Sequence, residues 1–293
     1  MSTLYVTDLD GTLMRSDQAL SRYTVETVNR LIEEGMLITY ATARLFQSAY
    51  GITKEIHFNL PVITRNGTAF VDPVKKKETE ILQFSKQDVN KLRMLLGDQI
   101  KRIGFVTSYI DGEMVKLFDN GEISEGLKEF LGETNDKRIR EICDDQDIFA
   151  GTVTYCTLIA NKRELQPLYE KVKNAGDWEC VFSKDTYGED YWLEICPLHA
   201  TKAKAILKYK EKMGFDRVVV FGDSVNDISM FEIADESYAV ENAIDELKEI
   251  ATSVIASNDQ DGVATFLSER WEKEKLGMER SISHNGEKKA GRM

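Results

Sequence analysis

VTDLDGTL, residues 6–13, places Asp8 and Asp10 one residue apart directly after an apolar run and follows them with Gly11. In the period-2 geometry of a strand both carboxylates point the same way while Leu9 points the other. Two like charges held together repel unless a cation, a shared proton or a reaction uses them. The competing reading is a plain turn, because Asp-Gly pairs often only close a loop. The stretch alone leaves both readings open.

Around it the chain alternates strands and helices. LYVTD (4–8) reads as a buried strand and 21–35 as a helix, with Ser21 as N-cap and Gly35 as its stop. MLITYAT (36–42) reads as a second strand, LFQSAYGIT as a short helix, and LPVITRNGTAFV (60–71) as two strands joined around Asn66-Gly67. The last third repeats this grammar: a helix over 201–214, a strongly apolar strand over 217–223, then helix, strand, helix, strand and a final helix. Such alternation predicts an α/β fold, a Rossmann-like doubly wound parallel sheet with covering helices. Between about 84 and 190 several strand-like runs with short polar connections accompany two helical ones, which predicts an inserted α+β module with an antiparallel sheet. The expected organisation is therefore a discontinuous core of 1–83 and 191–272, an insertion of 84–190, and a tail of 273–293 whose low apolar content suits disorder.

Composition narrows the partners. The 293 residues are 30% charged and 42% hydrophobic with a formal charge of −12, which argues against a general nucleic-acid or anionic-membrane binder and leaves room for a small anionic ligand at a locally positive site. No uncharged apolar run has membrane-spanning length, and MSTLYVTDLDG lacks the regions of a signal peptide, so a cytoplasmic location is the default expectation. Cys143, Cys156, Cys180 and Cys196 are widely spaced and His57, His199 and His284 scattered, a pattern of idle thiols and not of a zinc site. Trp178, Trp192 and Trp271 suit core or interface equally, with core as the default expectation, and the oligomeric state is open.

The decision about VTDLDGTL comes from the second apolar strand that ends in acid. VVVFGDSVND places Asp223 where a parallel strand runs out, as VTDLD places Asp8 and Asp10, and ligands of open α/β sheets bind at that carboxyl edge. Three carboxylates with carbonyl and water oxygens suit Mg²⁺, which keeps several waters and works with substrate phosphate. ITYATAR ends a third strand with Thr42, whose hydroxyl and backbone N–H can hold a phosphoryl oxygen, although a strand-end threonine also serves as an N-cap. Lys202, near a helix start in HATKAKAI, can offset the gathered negative charge, with Lys204 as its competitor. Gly11 and Thr12 are expected only to turn the chain away from the strand.

DLDGTL, ATAR, Lys202 and GDSVND, in this order, resemble the four motifs of the haloacid dehalogenase superfamily of phosphotransferases, and their spacing around the insertion resembles its Cof-type subfamily with a C2-type cap. ITRNGTAF, LEICPLHATKAKAI, YAVENAIDELKEIA and SNDQDGVA are similar to that subfamily's accompanying segments. The resemblance implies Asp8 as nucleophile, Asp10 as general acid/base, and Mg²⁺ held by Asp8, the Asp10 backbone carbonyl and Asp223, with Asp227 behind them. It implies Thr42, Lys202, Asn226 and Arg44 as phosphate- or substrate-binding residues. The second motif departs from the usual Thr-Gly-Arg: Ala43 stands where glycine is usual, and a requirement there for positive φ would strain the loop. The expected activity is Mg²⁺-dependent hydrolysis of a small phosphorylated metabolite, a sugar phosphate or similar phosphomonoester. Transfer to a sugar acceptor and non-catalytic phosphometabolite sensing are the alternatives; loss of Asp8 or Asp10 would favour the sensor, and both are present.

Overall fold

The computed structural model describes residues 2–119, 121–133, 137–142 and 146–290. In chain order the elements are β1 (Thr3–Thr7), α1 (Arg22–Glu33), β2 (Leu37–Tyr40), α2 (Phe46–Thr53), β3 (Val62–Thr64), β4 (Ala69–Asp72), β5 (Lys77–Ile81), α3 (Lys86–Leu96), α4 (Gln99–Ile103), β6 (Gly104–Ile110), β7 (Glu113–Asp119) and α5 (Glu125–Glu133). They continue with β8 (Ile139–Ile142), β9 (Thr152–Ala160), α6 (Lys162–Val172), β10 (Trp178–Lys184), β11 (Tyr191–Pro197), α7 (Lys202–Met213), β12 (Arg217–Gly222), α8 (Ile228–Ile233), β13 (Glu236–Val240), α9 (Asp245–Ile250), β14 (Ser253–Ile255) and α10 (Gly262–Ala290).

A five-stranded sheet in the order β14-β13-β12-β1-β2 forms the core, and all its pairings are parallel. β1 lies between β12 and β2 with Leu4–Thr7 wholly buried, as an apolar strand covered on both faces must be. Register then decides where its ends fall: Thr7 sits beside Phe221 of β12 and Tyr40 of β2, so the three strands run out together. α1 begins at Ser21, whose side chain accepts from the Thr24 N–H, and is followed by Gly35 at φ +98°. α7 begins at Thr201, whose side chain accepts from the Lys204 N–H, and ends at the left-handed Gly214.

β3, β4 and β5 form a small antiparallel sheet, joined to β2 by the Ala41–Ile63 bridge. The second large sheet, β10-β11-β9-β6-β7-β8, is antiparallel except for its β7–β8 edge. Its strands show the period of 2: Val106, Cys156, Leu158, Leu193 and Ile195 join the apolar core formed with α3 and α6, and the alternate residues face the other way.

Several sequence expectations need correction. β11 pairs between β10 and β9, so Tyr191–Pro197 belongs to the second sheet and the insertion ends after Pro197 instead of at 190. The stretch KRIGFVTSYI is helical at its start, and β5, α5 and β8 carried too little apolar periodicity to be read. α10 runs through the expected boundary at 272 to Ala290, because Glu274 and Lys275 are tied to Tyr5 and Glu34 of the core; 291–293 lie outside the described residues. Cys156, Cys180 and Cys196 are free thiols, and Cys143 lies outside the described residues.

The connection between β3 and β4 is the tightest point. Arg65, Asn66 and Gly67 have φ of +53°, +51° and +97°, and a Cβ on Gly67 would lie 2.3 Å from the Thr201 carbonyl oxygen at the start of α7. Gly67→Ala is therefore expected to cost at least the about 1–3 kcal/mol of a forced backbone conformation, read as a lower midpoint in urea unfolding.

Candidate active site

Because β1, β2 and β12 end together, the residues that follow them share one edge. Asp8 donates its backbone N–H to Phe221 O (2.9 Å), and its buried Oδ1 lies 2.7 Å from Lys202 Nζ. Lys202 Nζ also donates to Asp227 Oδ1 at 2.7 Å with its side chain wholly buried. Asp227 in turn fixes its own loop, Oδ2 accepting from the N–H groups of Asp223 (2.9 Å) and Ser224 (3.0 Å). Lys202 is thus the lysine of the site, while Lys204 pairs at the surface with Glu179.

One oxygen from each of Asp8, Asp223 and Asp227 lies within 4.8 Å of the others, and all three residues are buried. Three carboxylates against one ammonium leave a formal charge of −2 if all are ionised. Burial pushes the Asp8 carboxyl up to about 7 against the pull of Lys202, and pushes Asp223 well above the usual range with Asp227 and Asp8 adding to the effect. For Lys202 burial acts downward, but the two carboxylates outweigh it and hold the ammonium charged. A cluster of hard oxygen donors with excess negative charge fits a divalent cation.

Gly11 and Thr12 have more than the turning role expected of them. The chain after Asp8 makes one wide turn, Met14 N–H to Leu9 O (2.8 Å), with Gly11 at φ +68°. A Cβ there would lie 2.4 Å from Asp223 Oδ2, so the glycine lets the carboxylate reach the cluster. Thr12 Oγ1 donates to Asp223 Oδ1 at 2.8 Å and orients it. The turn composition of Asp-Gly-Thr concealed both, because the partner is 211 residues away.

Asp10 is not part of that three-carboxylate cluster and is gripped by Arg44, with Nε at 3.0 and 2.8 Å from its two oxygens and Nη2 at 2.6 Å from Oδ1. Ala43 is not among the positive-φ residues, so the methyl in place of the usual glycine causes no backbone strain. Thr42 departs from expectation in part: its N–H is taken by Ile63 O (3.0 Å), because pairing continues past the end of β2, and its Oγ1 accepts from the Arg44 N–H (3.1 Å). Only its hydroxyl proton is left to face a ligand.

Asp8, Asp10, Arg44 and Asn226 line a cavity of about 620 Å³ between the core edge and the second sheet, whereas Thr42, Lys202, Asp223 and Asp227 lie behind that wall. Asn226 Nδ2 donates to Asn66 Oδ1 (3.0 Å), and Asn66 Nδ2 donates to Tyr155 Oη (2.8 Å) and Glu194 Oε2 (3.0 Å). Sequence reasoning missed this junction; the Asn-Gly pair pointed only to a turn. Trp192 packs against the small cluster of Phe105, Leu127 and Ile159 and also lines the cavity, while Trp178 is buried and Trp271 packs against the core from α10.

The fold and this edge define an α/β protein with an inserted second sheet and an acidic site where the parallel strands end. The haloacid dehalogenase-like hydrolase family matches residues 5–267, and the chain belongs to that family as a hydrolase of the phosphatase type. It is similar to the 5-amino-6-(5-phospho-D-ribitylamino)uracil phosphatases YwtE and YitU of Bacillus subtilis. Identity is 26% to YwtE, covering 89% of this chain and 96% of the relative, and 28% to YitU, covering 91% and 96%. The crystal structure of a haloacid dehalogenase-like hydrolase from Bacteroides thetaiotaomicron superposes with a TM-score of 0.73 at 24% identity, covering 92% of this chain and 99% of that one. No described helix is long and apolar enough to cross a membrane.

Lys202→Met leaves two buried carboxylates unpaired and is expected to cost about 3–5 kcal/mol of stability. Asp8 titrates near 7 already, and without the ammonium its carboxyl takes a proton still more readily, which relieves the repulsion. The loss is therefore expected to be larger at pH 8 than at pH 5.5 in chemical unfolding without added metal.

Proposed function

We propose that the protein is a cytoplasmic, Mg²⁺-dependent phosphatase that hydrolyses a small phosphorylated metabolite through a phosphorylated Asp8. The observation that carries the reading is the buried cluster of Asp8, Asp223 and Asp227 around one ammonium, opening through Asp8 and Asp10 onto a metabolite-sized cavity. Asp8, the Asp10 backbone carbonyl and Asp223 would hold the metal, with Asp227 and Thr12 fixing Asp223. Bound Mg²⁺ offsets the repulsion between the attacking carboxylate and an anionic phosphate.

In the first step an Asp8 oxygen bonds to phosphorus as the ester P–O bond breaks, and Asp10 gives the departing oxygen its proton. In the second, Asp10 takes a proton from a water that attacks the same phosphorus, and the Asp8–phosphorus bond breaks to release inorganic phosphate. Splitting one displacement into two is the use of the nucleophile. Arg44 holds Asp10 beside the cavity through both oxygens of its carboxylate and has to release one of them for Asp10 to carry the proton, and Lys202 steadies Asp8. Thr42 has a hydroxyl proton, and Asn226 an amide, for phosphoryl oxygens.

Hydrolysis is favoured over transfer to a sugar hydroxyl by the phosphatase names of the B. subtilis relatives, and sensing is disfavoured by the presence of both Asp8 and Asp10. The phosphomonoester that the relatives' names give as their substrate supports that class here. Asp8→Asn is expected to lower turnover of 4-nitrophenyl phosphate by about three orders of magnitude or more while the circular dichroism spectrum stays native; full activity would remove the nucleophile assignment. EDTA should abolish phosphate release and Mg²⁺ restore it. Thr12→Val, which loses the bond that orients Asp223, should weaken Mg²⁺ binding about 10–100-fold by isothermal titration calorimetry.

A further inference from the structure

β10 and β11 pair from Trp178 opposite Pro197 to Lys184 opposite Tyr191, so residues 185–190 form the end of their hairpin. β10 packs against the Val225–Asp227 turn of the core, which brings that hairpin end to the sheet edge where the acids gather. One carboxylate braces it. Asp185 Oδ1 accepts from the Tyr187 N–H (2.9 Å) and Oδ2 from Trp192 Nε1 (3.1 Å), while the Asp185 N–H donates to Asp190 O (2.8 Å). Tyr187 is thereby held in the same cavity wall as Asp10 and Arg44.

Among the described residues, Tyr187 Oη is buried without a hydrogen-bond partner. The Asp10 carboxylate and the Gly11 N–H lie close enough to act on it, and burial together with the Asp10 charge pushes the phenol up and keeps it protonated. A buried O–H with no acceptor costs free energy, so its place beside a catalytic carboxylate calls for a use.

At rest Arg44 bonds both Asp10 oxygens. A guanidinium is a charged donor and favours the ionised carboxylate, so the oxygen that carries the proton has to be free of it. A phenol is a neutral donor: it tolerates the protonated oxygen and bonds the ionised one more strongly.

We propose that Tyr187 is a positioning residue for Asp10, its O–H bonding the oxygen that Arg44 releases and holding that oxygen toward the departing group. As the Asp10 proton passes to the ester oxygen, the charge left on the Asp10 oxygen is met by the Tyr187 O–H; in the second step the same oxygen takes a proton from water. Tyr187 keeps its own proton throughout. The assignment rests on the phosphatase reading above and gives the inserted sheet a part in the chemistry.

The test measures kcat/KM of the full chain with Mg²⁺ on 4-nitrophenyl, phenyl and benzyl phosphate, whose departing oxygens are of rising basicity on one ring skeleton. A weakly basic group departs without a proton, so the hold on Asp10 matters least for the first ester and most for the last. Tyr187→Phe should lower kcat/KM about 10–100-fold on benzyl phosphate, the worth of a hydrogen bond to a charged group, a loss at least about fivefold greater than on 4-nitrophenyl phosphate. Its urea midpoint should not fall, because the hydroxyl has no partner at rest. In an Asp10→Asn background, which has no proton to give, Tyr187→Phe should cost phenyl phosphate turnover at least about threefold less than it costs the otherwise wild-type chain. Equal losses on all three esters, no loss, or an undiminished loss in the Asp10→Asn background would overturn the positioning role while leaving the phosphatase reading in place. A wild type that releases phosphate from none of the three would overturn both.

Discussion

Lys202 Nζ lies 2.7 Å from Asp8 Oδ1 and 2.7 Å from Asp227 Oδ1, with its side chain wholly out of water. An ammonium in that position is tolerable only because two carboxylates face it, and they are tolerable only because it is there. The balance is still negative once Asp223 is counted, and the surroundings reflect that excess. Thr12 donates to Asp223, backbone N–H groups donate to Asp227, and Gly11 gives up its side chain so that Asp223 can approach. Each is a local concession to an arrangement of charge that a cation or an arriving phosphate can complete.

The second constraint is geometric. Arg65–Gly67 connects β3 to β4 and at the same time touches the Thr42–Arg44 loop, the start of α7, Asn226 and the second sheet. The Asn66 N–H reaches Thr42 O, and the Arg65 N–H reaches Arg44 O. Gly67 abuts the start of the helix that carries Lys202. The side chains of Arg65 and Asn66 reach into the second sheet, Arg65 bonding Tyr109 and Asn66 bonding Tyr155 and Glu194. Arg65 and Asn66 at positive φ are costly, and the loop's contacts with both layers show what holds them there. The loop ties the second sheet to the edge that would act on a substrate.

Much of this was legible along the chain. Alternating apolar strands and amphipathic helices gave the parallel core, and acidic strand ends gave Asp8, Asp10 and Asp223, because period and burial are local properties that side-chain order records directly. The insertion was legible in texture but not in extent: Tyr191–Pro197 looks equally like a core strand until its hydrogen-bond partners are known. Gly11, Thr12, Asn66 and Glu194 carried only turn or surface signals, because what gives them a role is a partner far off in sequence.

By itself, then, the sequence determined the apolar strands of the parallel core, where they end, and which of those ends carry charge, since these follow from backbone geometry and the cost of exposing apolar surface. Only the tertiary structure decided that Lys202 and not Lys204 enters the site, that the Thr42 N–H is spent on Ile63, and that Glu194 looks into the cavity. For Thr42 and Glu194 the outcome depends on pairing between strands distant in the chain, and for Lys202 on where the start of α7 meets the sheet edge. A shift of one residue in β11 would turn the Glu194 side chain to the opposite face.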